Sequence, residues 1–252
     1  MNEIKTVLFD VYGTLIDIHT DEHRDDIFET LSRFLEYRRV FVSPHELKEL
    51  YFSEINRQFA ASRQKFPEID IVAAFERVLR RSGGSSDRYL ALITTQLYRC
   101  LSRQRLGLFR DTFWTLTEFR KRYRLAVVSD AQRVFCRPEL RSLHIEGFFD
   151  TLVISSDYGF RKPDPRLFHI ALAAVDSRPE ESAYIGNRYE TDFQGARAAG
   201  LAVTILIHQS PADIEAFRGC PQPDGIAADL TEAYQMLRKQ AVVTQDDHQP
   251  EG

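Results

Sequence analysis

Residues 6 to 15 read TVLFDVYGTL, and the fold is decided there. Thr6, Val7, Leu8 and Phe9 run without a charged residue into Asp10, and Gly13-Thr14 turns the chain just beyond. A run so short and apolar reads as a strand buried on both faces, the kind that builds parallel sheets. LAVVSD (125 to 130), TLVISS (151 to 156), SAYIGN (182 to 187) and LAVTIL (201 to 206) repeat the pattern. Helix signals fall between them. Asp164-Pro165 stands ahead of RLFHIALAAV and Ser210-Pro211 ahead of ADIEAFR, each an N-cap followed by proline at the first helical position. Strands alternating with helices predict an α/β fold with a parallel sheet covered on both faces. In such sheets ligands bind beyond the carboxyl ends of the strands.

The stretch from 17 to 105 is of another kind. It holds no good strand and several amphipathic helical patterns: Ile27, Leu31, Phe34 and Leu35 share one face, as do Tyr89, Ile93, Leu97 and Leu101. Ser43-Pro44-His45-Glu46 resembles a capping box, and SGGSS (82 to 86) separates two helices. The expected organisation is an α/β core from 1–16 and 106–240, a helical cap from 17–105 inserted after the first strand, and a polar, disordered tail from 241–252.

Lys and Arg number 33 against 37 Asp and Glu, a net charge of −4, and the basic residues are scattered among acids. That balance argues against nucleic acid and anionic membranes as partners. No run reaches the roughly 18 apolar residues of a membrane span, and the start, MNEIKTVLFD, lacks a leader pattern. A cytoplasmic protein acting on a small molecule is expected, with its oligomeric state unread. Cys100, Cys136 and Cys220 have no metal-ligand spacing and are read as small buried hydrophobes, and Trp114 as core.

Four polar signals follow in order at or beyond predicted strand ends: Asp10 in DVYGTL, Ser129 closing LAVVS, Lys162 in RKPDPRLF, and GNRYETDFQGARAAG from Gly186 to Gly200. With these four in this order the chain resembles the haloacid dehalogenase superfamily of hydrolases, in the branch with a helical cap after the first strand. The resemblance spans nearly the whole chain and implies a Rossmann-like core with an all-α cap. It implies Asp10 as nucleophile, forming an ester that water hydrolyses. Thr14 and Ser129 would offer donors to substrate oxygens, Asn187 would line the substrate, and Lys162 would neutralise Asp10 and the substrate's charge. Phosphatase-like members carry a second acid where this chain has Asn187. Mg²⁺ would therefore rest on Asp10, the backbone carbonyl of Tyr12 and Asp192, with Glu190 as a compensating charge off the motif.

Tyr12 stands where phosphatase-like members have the acid that protonates the leaving alkoxide, so it is named with Asp10 and Lys162 among the catalytic positions. Dehalogenase-like members carry Tyr at this place, since halide leaves without a proton and their reaction needs no metal. Other residues depart from that branch: Phe168 stands where it has Tyr, and its halide arginine has no clear counterpart, Arg57 and Arg63 being candidates. The first expectation is Mg²⁺-assisted phosphate-ester hydrolysis. The alternatives are 2-haloacid dehalogenation and a catalytically weakened binding or regulatory protein. If the missing acid alone limits phosphatase activity, Tyr12→Asp should raise it. HTDEH (19 to 23) matches a zinc pattern and is read instead as a solvated helix start.

Overall fold

The computed structural model describes residues 3–84 and 87–246, with side chains described to residue 239. Six parallel strands form the main sheet: β1 (Thr6–Phe9), β4 (Arg124–Ser129), β5 (Thr151–Ile154), β6 (Ser182–Gly186), β7 (Val203–Ile207) and β8 (Gly225–Ala227). Their order is β5-β4-β1-β6-β7-β8, with Thr6 opposite Arg124 on one side and Ser182 on the other. The chain runs outward from β1 through β4 to β5, then crosses back to β6 and runs outward again. β1 therefore sits where the winding reverses, the place in such sheets where a crevice opens beyond the strand ends.

The period-two geometry of a strand explains why these runs have no polar face. Val7 and Phe9 pack toward α5 (Thr112–Arg120), α6 (Arg133–Ser142) and α10 (Leu230–Asp246), against Leu116, Phe119, Leu140 and Leu237. Leu8 points the other way, to α7 (Pro165–Ala174) and α8 (Gln194–Ala198), with Leu167, Phe168, Leu172 and Ala196. Burying a side chain such as Phe9 stabilises by about 1.5–3 kcal/mol, so both faces contribute. The start signals hold: Asp164 accepts from the Arg166 N–H ahead of α7, and Ser210 makes a reciprocal capping box with Asp213 at α9 (Pro211–Ala216).

Between β1 and β4 the chain makes a helical insert. Four helices, α1 (Asp25–Tyr37), α2 (Pro44–Ala61), α3 (Ile71–Arg81) and α4 (Arg88–Ser102), enclose a separate core built on Leu31, Leu47, Tyr51, Phe75 and Tyr98. Two expectations fail here. The stretch contains strand: β2 (Ile16–Thr20) pairs antiparallel with β3 (Arg103–Leu108), a ladder whose two halves are too far apart in sequence to reveal each other. On α4 the buried residues are Leu90, Ala91, Thr94, Thr95, Tyr98 and Ser102, so the inward face lies a step beyond the expected one and Tyr89 is 63% exposed. Thr94 and Thr95 belong inside because their hydroxyls bond back to the carbonyls of Leu90 and Ala91.

Three smaller readings also change. Trp114 is 55% exposed rather than core, and of the cysteines only Cys136 is buried. The chain continues as α10 to Asp246, and the rest of the expected tail, 247–252, lies outside the described residues, as do Ser85 and Ser86 of SGGSS. In HTDEH, His19 and Thr20 belong to β2, and His23 stacks on Phe52. No cluster of three or more metal-ligating side chains occurs among the described residues. No described helix is long and apolar enough to cross a membrane.

Candidate active site

Asp10, Ser129, Lys162 and Asp192 converge at the carboxyl ends of β1, β4 and β6. Asp10 is held by its N–H, which donates to the carbonyl of Ile185 at 3.0 Å. Lys162 spends all three ammonium protons within the site. Its Nζ donates to Asp10 Oδ1 at 2.8 Å, to Asp192 Oδ1 at 2.5 Å and to the Tyr184 hydroxyl at 3.0 Å. Burial alone would push the Lys162 ammonium toward neutrality, but Asp10 and Asp192 beside it hold its pKa well above the usual lysine value. Burial raises the Asp10 carboxyl from 3.8 to about 6, opposed by Lys162 and reinforced by Asp192.

Asp192 is buried and fully occupied. Oδ1 takes Lys162 and lies 2.9 Å from the Tyr184 hydroxyl, and Oδ2 accepts the backbone N–H groups of Asn187 and Arg188, both at 2.9 Å. A carboxylate offers about four acceptor positions, and here each has a protein partner. Gly186 permits this packing, because a Cβ there would overlap the Asp192 carboxylate. Gly13, at φ +80°, likewise leaves room for the Asn187 carboxamide, whose Oδ1 lies 3.4 Å from the Thr14 hydroxyl. Ser129 differs: its Oγ is buried with no hydrogen-bond partner of good geometry, though the hydroxyl slightly favours the ionised form of Asp10. A buried orphan hydroxyl costs stability, and this one lies behind Asp10 and Asp130, which line the pocket while Ser129 itself does not.

Of the three groups expected to hold Mg²⁺, only Asp10 and the Tyr12 carbonyl remain open to it. Asp192 is consumed, Asn187 brings no charge, and Asp10 is already paired with Lys162. These residues do not fit a preformed magnesium site, because a hard dication wants carboxylates it need not share with an ammonium. Glu190 lines the pocket, outside the motif.

The Tyr12 ring lines the pocket, but its hydroxyl donates to Glu139 Oε2 on α6 at 2.5 Å, not to Asp10. Glu139 is buried and also takes Arg99 from α4, Nε to Oε1 at 2.7 Å and an NH2 group to Oε2 at 3.1 Å. The Arg99 guanidinium faces the rings of Tyr12 and Phe135. Burial and Glu139 push the phenol's pKa above its usual value. Tyr12 thus donates to a buried anion within the core, one that Arg99 ties to the insert, and is a poor proton source for a leaving group.

The pocket over Asp10 encloses about 610 Å³ and is lined by Asp10, Tyr12, Asp130 and Lys162 from the sheet ends, Phe66 from the insert, and Arg161 and Arg188. Loop 62–70 of the insert closes one side: Arg161 N–H donates to the Phe66 carbonyl at 2.9 Å, Glu68 N–H to Gly159 at 3.1 Å, and Ser155 Oγ to Glu68 at 2.6 Å. Arg57 and Arg63 do not line it, and Arg57 is paired with Glu54. Tyr184 escaped sequence reading although SAYIGN held a clue: a phenol inside a buried strand must find a polar partner. Glu139 and Arg99 carried no motif at all.

A buried carboxylate and ammonium in contact stand at a pocket beyond the switch strand of a parallel sheet, an arrangement that suits a hydrolase. The model of the haloacid dehalogenase-like hydrolases matches residues 7–206, and the chain belongs to that family. It is similar to human N-acylneuraminate-9-phosphatase, 24% identical over 94% of this chain and 95% of the relative. It is 29% identical to glyceraldehyde 3-phosphate phosphatase of Methanopyrus kandleri, over 82% and 84% of the two chains. The fold is shared with 2-haloacid dehalogenase from Pseudomonas syringae pv. Tomato DC3000, at a TM-score of 0.65 and 22% identity over 94% of this chain and all of that one.

Proposed function

We propose that the protein hydrolyses phosphate monoesters of small molecules through a covalent Asp10 intermediate, acting on esters whose leaving oxygen departs as a weakly basic anion. The observation that carries this reading is the buried Asp10–Lys162 contact beside the unpartnered Ser129 hydroxyl. Asp10 Oδ attacks phosphorus, the bond to the leaving oxygen breaks, and that oxygen takes the electron pair. Water then cleaves the aspartyl phosphate, releasing phosphate and regenerating the carboxylate. Lys162 holds positive charge against the nucleophile throughout, and the Ser129 hydroxyl behind Asp10 turns to a phosphoryl oxygen, while Thr14, buried against Asn187, takes no part. Tyr12 supplies no proton, which restricts the reaction to good leaving groups. The similarity to named phosphatases agrees with this chemistry.

The second reading, 2-haloacid dehalogenation, is favoured by the same committed phenol, because halide leaves without a proton. One pair of assays separates the two. Phosphate release from 4-nitrophenyl phosphate that persists in chelator and vanishes in Asp10→Asn supports the first, and chloride release from 2-chloropropionate supports the second. Silence in both, with ligand binding intact, supports a weakened binding protein.

A further inference from the structure

We infer that the substrate carries a carboxylate remote from its phosphate, and that Arg161 and Arg188 bind it. The inference deepens the proposed function and rests on it for placing the phosphate at Asp10.

A pocket of about 610 Å³ falls in the range of about 300–1,000 Å³ that small-molecule sites take, so a phosphoryl group at Asp10 leaves room for a larger remainder. Three basic residues line it, and Lys162 is spent on Asp10, Asp192 and Tyr184. Arg161 and Arg188 are exposed, and among the described residues neither side chain makes an ion pair or hydrogen bond. Most arginines of the site's surroundings are engaged, Arg99 with Glu139, Arg133 with Asp157 and Arg166 with Asp164, which sets these two apart.

Both are held at the backbone, Arg188 by the reaction centre and Arg161 by the insert loop. The Arg188 N–H donates to Asp192 and the Arg161 N–H to Phe66, and each residue directly adjoins a site residue, Asn187 or Lys162. The Arg161 guanidinium also lies over the Phe59 ring of α2, 5.8 Å from its centroid. A cation–π contact uses the charge of the guanidinium and leaves its N–H donors free for a planar, two-oxygen partner. A carboxylate suits that fork.

The remaining charge on the wall selects a singly charged group over a second phosphate. Asp130 and Glu190 line the same pocket, so two free guanidinium groups face two carboxyls rather than an open positive field. Asp130 is already occupied by the Lys162 N–H at 2.8 Å, and burial raises its pKa, which leaves Glu190 as the main competitor. Two guanidinium groups against Glu190 leave a net charge of about one, which a carboxylate balances and a dianion exceeds.

The test uses the whole chain and two matched, non-hydrolysable ligands, 3-(phosphonomethyl)benzoate and its methyl carboxylate ester, with affinities measured by calorimetry. They differ only in the remote charge. The wild-type protein should bind the acid about tenfold more tightly than the ester, the worth of a charge-assisted hydrogen-bonded pair at a half-open site. Arg161→Gln and Arg188→Gln should each bring that ratio toward one, and Arg161→Lys should keep part of it. Equal affinity for the two ligands, no binding of either, or a ratio unchanged in both Gln variants overturns the inference. Because no turnover is needed, a protein that shows the ratio yet hydrolyses no phosphate ester refutes the proposed reaction and leaves the carboxylate subsite standing.

Discussion

Replacing Tyr12 by phenylalanine separates a structural from a catalytic role for the phenol. The hydroxyl gives one hydrogen bond, 2.5 Å, to the buried Glu139 carboxylate, which keeps both Arg99 bonds when the hydroxyl is removed. A hydrogen bond to a charged group contributes about 1.5–3 kcal/mol. For a chain of this size each kcal/mol moves the melting temperature by about 2–4 °C, so Tyr12→Phe should melt about 3–12 °C below wild type. If the phenol donated a proton in the chemical step, its loss would lower kcat by about 10²–10⁴. With the hydroxyl bound to Glu139, kcat on an activated aryl phosphate should instead stay within about threefold of wild type. Calorimetric melting and steady-state kinetics on the same preparation read both quantities. A fall in kcat of about two orders of magnitude with an unchanged melting temperature would refute the assignment. A cycle with Glu139→Gln adds a check, since the two substitutions should be strongly non-additive in stability and not in rate.

Tyr12→Asp, on the same grounds, should lower stability by about 3–5 kcal/mol through the lost ring, set a carboxylate beside Glu139, and bring no gain in phosphatase activity, contrary to the expectation from motif alone. Lys162→Met leaves Asp10 and Asp192 buried without their cation and should cost about 3–5 kcal/mol in denaturant unfolding. Hydrolysis should rise with pH through about 6, because the attacking form is the ionised carboxylate and burial has raised its pKa to about 6. The sign for stability is opposite: a raised carboxyl favours the fold while protonated, so its contribution fades between pH 3.8 and about 6, readable as a falling melting temperature across that window. Chelator should change wild-type turnover by less than about twofold, whereas Asn187→Asp should introduce a magnesium response visible in calorimetric titration.

The sheet was legible because its strands are buried on both faces and so appear as unbroken apolar runs, and because Asp164 and Ser210 mark helix starts with their own side chains. Asp10, Ser129 and Lys162 stood at the ends of those runs or just beyond them, where the fold brings them together. The pairing of β2 with β3 spans the whole insert and leaves no local signature. Tyr12 misled for a related reason. Its sequence neighbours describe a catalytic turn, while its hydroxyl answers to Glu139, 127 residues away. The inward turn of Asp192 was equally hidden, since a first-turn acid looks the same whether it faces a cation in solvent or an ammonium in the core.

The ladder of β2 and β3 brings both ends of the helical insert to one place, with Ile16 opposite Leu108 at its base. A unit whose two chain crossings meet in one two-stranded stem resembles a plug on a socket, seated by Phe66 and Glu68 against 155–161 and by Arg99 against Glu139. Its helices can be lengthened or trimmed away from those contacts while the strands of the stem keep their register. Only the part of the pocket wall that the insert supplies, Phe66 on its loop, is free to change in this way, while Arg161, Arg188 and Asp10 stay with the sheet.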